Sequence, residues 1–355
     1  MEISVLVGNG VDLSNGLHTS YTDFFKAKIE KKTDSNNRLY QSFQKQKRWS
    51  DMEEDIGKFS VHYEDDVSKF EQDKEELQDD LLDFLQDQQN KISASNVDEK
   101  KQNFYDFVNN LDAHLSTQED KERFRATIAH WKSIAQHQNY EWELFVNFIT
   151  LNYTSLLEQK LYSESDDEPL DSSEAVAPPF YNAALRTPDV VLHPHGTIDD
   201  YMIFGVDNIS QLENHNADIT KDSVKSELIK ISESNDFGYA NELLSDSNLI
   251  VVIGASLGKT DNHWINGIVM QLVENPDALV IIDQFIKQKP PRKSALAVRR
   301  SHTESKEPFV RYVRSHEEVQ TLVENKIGGL NNLLARILVG NFYPETSNIV
   351  NLDFR

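Results

Sequence analysis

Two hydrophobic patterns alternate along the chain. Short β-rich runs fall at Ile3–Val7, Leu144–Leu151, Asp189–Leu192, Tyr201–Val206, Leu249–Ile253 and Ala278–Ile282. Such runs, apolar without regular polar alternation, read as strands buried on both faces of a parallel sheet. Between them lie stretches with apolar residues three or four positions apart. Val67, Phe70, Leu77, Leu81 and Phe84 form one stripe, interrupted by Lys74; Phe104, Phe107, Val108, Leu111 and Leu115 form a second; Phe124, Ile128, Trp131 and Ile134 form a third. These read as amphipathic helices with an acidic outer face, joined by turns at Ser93–Asp98 and Ser116–Asp120.

A first helix is expected over about Tyr21–Lys32, with Thr19, Ser20 or Thr22 as its N-cap, then a polar joint at Thr33–Asn37 and a helix over 38–50 leading to Trp49. Another helix starts near Ser155, Ser163–Pro179 is an acidic Ser/Pro-rich loop, and residues 207–245 are polar and then helical. Lys287–Arg300 reads as a basic exposed loop, Phe309–Val313 as an edge strand and 316–338 as helical. The resulting expectation is an α/β fold, doubly wound around a mostly parallel, Rossmann-like sheet. Residues 1–37 and 144–355 would form a nucleotide-binding core, and 38–143 a large acidic helical insert.

Four predicted strands end in polar or glycine-rich turns: Gly8-Asn9-Gly10 with Asp12, Asn152-Tyr153-Thr154, His193-Pro194-His195-Gly196, and Gly254 to Asp261. In a parallel sheet the carboxyl ends of strands share one edge, and ligands bind there. A strand entering Gly-x-Gly brings backbone N–H groups near a phosphate, and a side chain at either glycine would hold the ligand away. Each residue also has a purely local reading. Asn152 could cap the next helix, His195 could be a hydrogen-bonded turn residue, Asp12 could tie the glycine turn, and Asp261 could cap a helix. His193, one alternation from the strand end, reads as structural. Lys259 does not stand at P-loop spacing, because three residues, not four, separate Gly254 from Gly258.

Composition narrows the chemistry. There is no cysteine, which excludes disulfides, thiolate metal sites and a cysteine nucleophile. No apolar run approaches the roughly 18 residues of a membrane span, and the start of the sequence has no signal-peptide pattern. A cytoplasmic location without membrane partners is the expectation. Mean hydropathy is −0.57. The net charge is −23, and residues 51–123 hold 22 Asp/Glu against 8 Lys/Arg, a net of −14. Such a surface repels nucleic acid, so a nucleic-acid partner is not expected.

The motifs resemble those of the abortive-infection AbiH family of bacterial antiphage proteins. The opening VGNGVDLSNGLHTSYTDF, then LNYT, the HG of HPHG, IFG at 203–205 and GASLGKTD follow that family's order. Val11 departs from it, since an aromatic is usual there. A more distant resemblance is to sirtuin-like domains, which order a glycine turn, an Asn turn, a His-Gly pair and a Gly-x-Ser turn around NAD. The Gly-x-Ser and Pro-Asp-Phe-Arg parts of their first motif are missing, Thr154 stands where many have an acid, and the cysteine-zinc module is impossible here. Protein deacylation is therefore not expected. The resemblance implies NAD as substrate or ligand, without a metal, held by Gly8, Asn9, Gly10, Thr19, Gly254, Ser256 and Asp261. Asn152, His195 and Asp12 would carry the chemistry of a hydrolase that cleaves NAD or a related nucleotide. Two competitors are a metal-dependent nuclease or phosphoesterase using Asp12, His195 and Asp261, and a non-catalytic nucleotide sensor signalling through the helical insert. That insert is also the expected surface for a homo-oligomer or partner protein.

Overall fold

The computed structural model describes residues 1–46, 51–95, 97–161, 179–180, 183–186, 191–232, 234–286 and 295–342. Its elements in chain order are β1 (Glu2–Val7), α1 (Gly10–Ser14), α2 (Tyr21–Phe24, continued by a π turn over Phe25–Ile29), α3 (Arg38–Lys45), α4 (Met52–Phe59), α5 (Val67–Gln89), α6 (Val97–Asn109) and α7 (Gln118–His137). There follow β2 (Glu143–Thr150), α8 (Leu156–Lys160), β3 (Ala184–Arg186), β4 (Val191–Leu192), α9 (Ala217–Ser223), α10 (Lys225–Ser232), α11 (Asp236–Asp246), β5 (Leu249–Ile253) and α12 (Asn262–Glu274). The last are β6 (Leu279–Phe285), α13 (Ala295–Ser315), α14 (Glu317–Ile327), α15 (Leu330–Ala335) and β7 (Ile337–Phe342).

Among the described residues seven strands make one sheet in the order β3-β2-β1-β5-β6-β7, with β4 also pairing with β2. Every pairing is parallel. Val7 is level with Thr150 on one side and with Ile253 on the other, so β1, β2 and β5 end on one line. The chain builds outward from β1 to β3 and β4, then returns to build β5, β6 and β7 on the other side. The reversal lies between β1 and β5, which is where doubly wound sheets open a ligand crevice. The expected α/β, mostly parallel, Rossmann-like architecture is the one observed.

Side-chain alternation assigns the two faces. Ile3, Val5 and Val7 of β1 with Leu249, Val251 and Ile253 of β5 face α6 and α7, meeting Phe104, Phe107, Phe124 and Ile128. Leu6, Ile250 and Val252 face Trp264, Ile265 and Ile268 of α12, with Phe309 of α13 behind. A third apolar cluster joins α2, α3, α4 and α5 to Met202, Phe204, Val206 and Ile219. The helical stretch between β1 and β2 thus divides: α6 and α7 cover the sheet, while α3, α4 and α5 build a lobe beside its carboxyl edge. The helix starts are set by i→i+3 caps. Ser20, Asn37, Asp51, Asp66 and Thr117 each accept the N–H of the third residue on. A cap of this kind contributes roughly 1 kcal/mol.

Several expectations are corrected. Tyr201–Val206 is no strand. Ile203 N–H bonds His195 O at 2.7 Å and Val206 N–H bonds Ser223 O at 2.7 Å, and the segment's apolar residues fill the third cluster. Phe309–Val313 lies inside α13, because Phe309, Tyr312 and Val313 are buried at i, i+3 and i+4, a helical spacing. The helix expected over 316–338 ends at Ala335, and β7 follows it. The strand expected over Ala278–Ile282 runs on as β6 to Phe285. Of the expected basic loop at Lys287–Arg300, residues 295–300 are the start of α13, and 287–294 lie outside the described residues, as do Trp49, 163–178 of the acidic loop, and 189–190. The first helix stops its regular winding at Phe24 and its π turn at Ile29, and a short α1 precedes it. No helix among the described residues is long and apolar enough to cross a membrane.

The crossing of the β1 and β5 ends is tight. Gly8 N–H bonds Ile253 O and Gly10 N–H bonds Gly254 O, both at 2.8 Å. A Cβ on Gly8 would lie 2.5 Å from Ala255 Cα, and one on Gly254, whose φ is +65°, would lie 2.8 Å from Val11 N. Gly254→Ala is expected to lower the unfolding free energy by at least about 1–3 kcal/mol, the range for a non-glycine residue held in such a conformation. Gly16→Ala, with φ +81° but open space around it, should lose less. Denaturant titration of both variants checks the order.

Candidate active site

The four strand ends surround one cavity of about 530 Å³, lined by residues of the β1, β2, β4 and β5 turns and by Tyr21, Asp51, Glu53 and Lys225. Gly8, Asn9, Gly10, Asn152, His195, Gly254, Ser256 and Asp261 all line it. Asp12 and Thr19 do not. They line a smaller neighbouring cavity of about 110 Å³ behind Asn152.

The glycine turn serves the fold more directly than a phosphate. The Gly8 and Gly10 N–H groups are engaged by the end of β5. By contrast, the N–H groups of Asn9, Ala255, Ser256 and Leu257 make no hydrogen bond among the described residues. Leu257 holds φ +48° with its side chain buried. Strain of this kind is kept where the surroundings over-determine it. An anion entering the cavity would therefore meet the turn after β5, not Gly8 and Gly10.

Asn152 is pinned from behind. Its side-chain Nδ2 donates to Gly8 O at 3.2 Å and to Asp12 Oδ1 at 3.0 Å. Ser155, not Asn152, is the N-cap residue of α8. With both amide hydrogens engaged, the Asn152 oxygen is left for the cavity. Asp12 accepts a second bond from Thr154 Oγ1 at 2.9 Å and is 1% exposed. Burial pushes its carboxyl up to about 6, partly offset by the hydrogen bonds of Thr154, Thr19 and Asn152. Asp12 therefore orients Asn152 and does not reach a ligand in the main cavity. Thr19 Oγ1 bonds Asn9 Oδ1, which fixes the turn.

The two histidines differ. His195 is buried, and burial together with the Lys225 charge holds its pKa well below the usual value, against a hydrogen bond to the Leu151 backbone. Its ring is neutral at pH 7. His193 sits between the Asn152 carbonyl, 3.2 Å from Nδ1, and the Glu158 carboxylate at Nε2. Burial works against its charge, but Glu158 and the Asn152 carbonyl raise its pKa above the ordinary value. It ties the end of β2 to α8.

Three lining groups, Asp51, Glu53 and Lys225, lie in no motif of the sequence, and Tyr21 of the opening motif meets them. Lys225 Nζ pairs with Glu53 Oε2 at 2.8 Å and donates to Thr260 O at 3.1 Å. Tyr21 donates its hydroxyl to Glu53 Oε1 at 2.8 Å. Burial would discharge Lys225, but Glu53 and Asp261 hold its pKa above the ordinary value. Asp51 caps α4 through Oδ1, which accepts Glu54 N–H at 3.1 Å. Asp261 Oδ2 accepts Gly258 N–H at 3.0 Å. Both carboxyls are pushed up by burial; Lys225 and the Gly258 N–H pull Asp261 back, and the Glu54 N–H does so for Asp51, to whose rise Glu54 and Asp261 add. Among the described residues no three His, Asp or Glu side chains cluster to hold a metal ion, and Asp12 does not share a cavity with His195 and Asp261.

A family model described as "Bacteriophage abortive infection AbiH" matches residues 5–283. The chain belongs to the AbiH family. No curated protein matches it. The match begins in β1 and ends in β6, so it spans the four strand-end turns of the candidate site in this AbiH chain, and it carries an abortive-infection role against bacteriophage.

The Asp12 carboxyl gives a pH prediction for this AbiH protein. Its folded pKa of about 6 exceeds the ordinary value, so the folded state binds more protons between about pH 4 and 6, and stability contributed by this group falls as pH rises through that window. Asp12→Asn removes the fall. The stability of the variant relative to wild type should therefore rise by up to about 3 kcal/mol between pH 4 and pH 6 and then level off. Urea unfolding at several pH values measures it.

Proposed function

We propose that this protein acts in abortive infection by hydrolysing NAD or a related dinucleotide in the cavity at the β1–β5 switch point. The observation that carries the reading is the meeting of four strand-end turns around one cavity, with a pinned Asn152 amide and a neutral His195 on its wall. Cleavage of an N-ribosyl bond passes through an oxocarbenium-like centre on ribose. The C–N bond breaks as the base departs with the bonding pair, water then forms the new C–O bond at that carbon, and the proton the water gives up must be removed.

In this reading the Asn152 oxygen accepts from a ribose hydroxyl or from the attacking water. The neutral His195 ring takes the proton that the water gives up. The N–H groups of Asn9, Ala255 and Ser256, which line the cavity, receive the diphosphate, as backbone donors at a strand-to-helix crevice do. Asp12 holds Asn152 in register, and Ser256 lies at the exposed rim. Loss of the dinucleotide would halt host and phage together.

A nucleotide sensor is the second reading. It is favoured by one observation: the lobe of α3, α4 and α5 contributes Asp51 and Glu53 to the same cavity, so occupancy would be felt there. Metabolite profiles of induced cells separate the two, since a fall in one dinucleotide supports hydrolysis and tight binding without turnover supports sensing.

His195→Ala and Asn152→Ala should each lower turnover by about 10²–10⁴, the usual worth of a general base or its partner, and abolish phage protection. Both side chains sit at strand ends, so circular dichroism should show folded proteins. Their effects should fall well short of additive, because both act on one bond-breaking step. Folded variants that protect as well as wild type would overturn this centre.

A further inference from the structure

The apolar stripe of α5 has one break that the main cavity does not explain. Lys74 stands among Phe70, Leu77 and Leu81 on the buried side of the helix, and it is 3% exposed. Its Nζ makes one hydrogen bond, to Gln78 Oε1 at 3.1 Å. No carboxylate among the described residues lies within ion-pair distance of it. An ammonium has three donors, so two are left without a partner. Burial lowers its pKa to about 8, and the charges of Asp222 and Glu53 offset only part of this. Lys225 is the contrast: it is also buried, and Glu53 meets its charge at 2.8 Å. An unpaired cation is costly to bury, and an apolar residue in its place would serve the fold as well or better.

The Lys74 amine lines a second cavity, of about 490 Å³, which shares no lining residue with the first. One wall is α5. The other is Asp200–Met202 with Asp222 of α9 and Leu228 of α10. Leu82, Met202 and Leu228 give it an apolar strip. Glu71, Glu75, Asp79, Asp200 and Asp222 stand around it, the first four exposed and Asp222 half-buried. Alone, those carboxylates would mark only a solvated surface. The unpaired ammonium among them is the feature that calls for a ligand, and it calls for an anion. A simple anion such as phosphate would be repelled by the carboxylates. A ligand that satisfies both kinds of group carries one carboxylate and one or more ammonium groups.

We infer that this cavity binds a zwitterion, a basic amino acid or the free carboxyl end of a basic peptide, whose α-carboxylate meets Lys74 and whose cationic groups meet the surrounding carboxylates. The ligand's carboxylate accepts from the two Nζ hydrogens left over from Gln78. Its apolar stem lies on Leu82, Met202 and Leu228. The inference stands apart from the dinucleotide reading, although α10 supplies Lys225 to the first cavity and Leu228, one turn on, to the second.

Calorimetry of the whole chain with the tripeptide Lys-Leu-Lys, its carboxyl end free or amidated, tests this. Wild type should bind the free-carboxyl peptide at least about tenfold more tightly than the amidated one, the worth of a charge-assisted hydrogen bond. At pH 8 the carboxylate should draw up to about half a proton onto Lys74, read from the dependence of the binding heat on buffer ionisation. Lys74→Met should bind the two peptides equally and take up no proton. Its urea midpoint should be no lower than that of wild type, because methionine continues the apolar stripe. L-lysine titrated beside the peptide separates the two sources, the tighter ligand of the two naming the free amino acid or the peptide end. Equal affinity of wild type for the free and amidated peptides, no binding of either the free peptide or L-lysine, or a preference that persists in Lys74→Met overturns the inference. The wild-type comparison decides even where the variant fails to fold.

Discussion

The backbone contact between the ends of β1 and β5 is the constraint on which the site depends. Two 2.8 Å hydrogen bonds, from Gly8 to Ile253 and from Gly10 to Gly254, lock the turns of two adjacent strands at the point where the sheet reverses its order. The contact leaves no room for a Cβ at Gly8 or Gly254. It also fixes the direction of the turn after β5, whose Ala255, Ser256 and Leu257 N–H groups make no hydrogen bond among the described residues, and it places Gly8 O where Asn152 can bond it.

From that contact a chain of polar groups runs outward. Gly8 O and Asp12 hold the Asn152 amide, Thr154 holds Asp12, the Asn152 carbonyl meets His193, and His193 meets Glu158 on α8. Each member is buried or half-buried, so each donor needs its acceptor, and breaking one link leaves a desolvated group behind. The result is a rigid back wall. The opposite wall is built differently, from charges on α4 and α10 that pair across the lobe boundary. A hydrogen-bonded amide wall and a wall of charges paired across the lobe boundary thus meet in one cavity.

Much of this was legible in the sequence. The β5 run Leu249–Ile253 has the bounds of the observed strand, because five consecutive β-branched or leucine residues buried on both faces leave little ambiguity. The four turns were legible because glycine, asparagine and histidine directly follow such runs. Asp51, Glu53 and Lys225 were not legible. They sit in segments whose pattern is that of a solvated helix face, and nothing local marks a carboxylate whose cation lies on α10. β3 is three residues long, too short to show a period, and the run at Ile337–Val339 follows Leu333 and Leu334 closely enough to read as more helix. The burial of Asp12 was not legible either, because it depends on Thr154 and Asn152, which tertiary structure alone brings to it.

Strand order carries a consequence for synthesis. β1 is the first strand made, yet it lies in the middle of the sheet, and its neighbours span residues 143–150 and 249–253. At a translation rate of roughly 5–20 residues per second, β1 waits on the order of 10–50 s before its second partner emerges. During that interval the nascent chain has neither the β1–β5 contact nor the turn that carries Asp261. A partial chain therefore holds no assembled cavity, and a ribosome that stalls before β5 releases a fragment without the centre. For an abortive-infection protein, such ordering leaves truncated copies without the cavity that the four turns build.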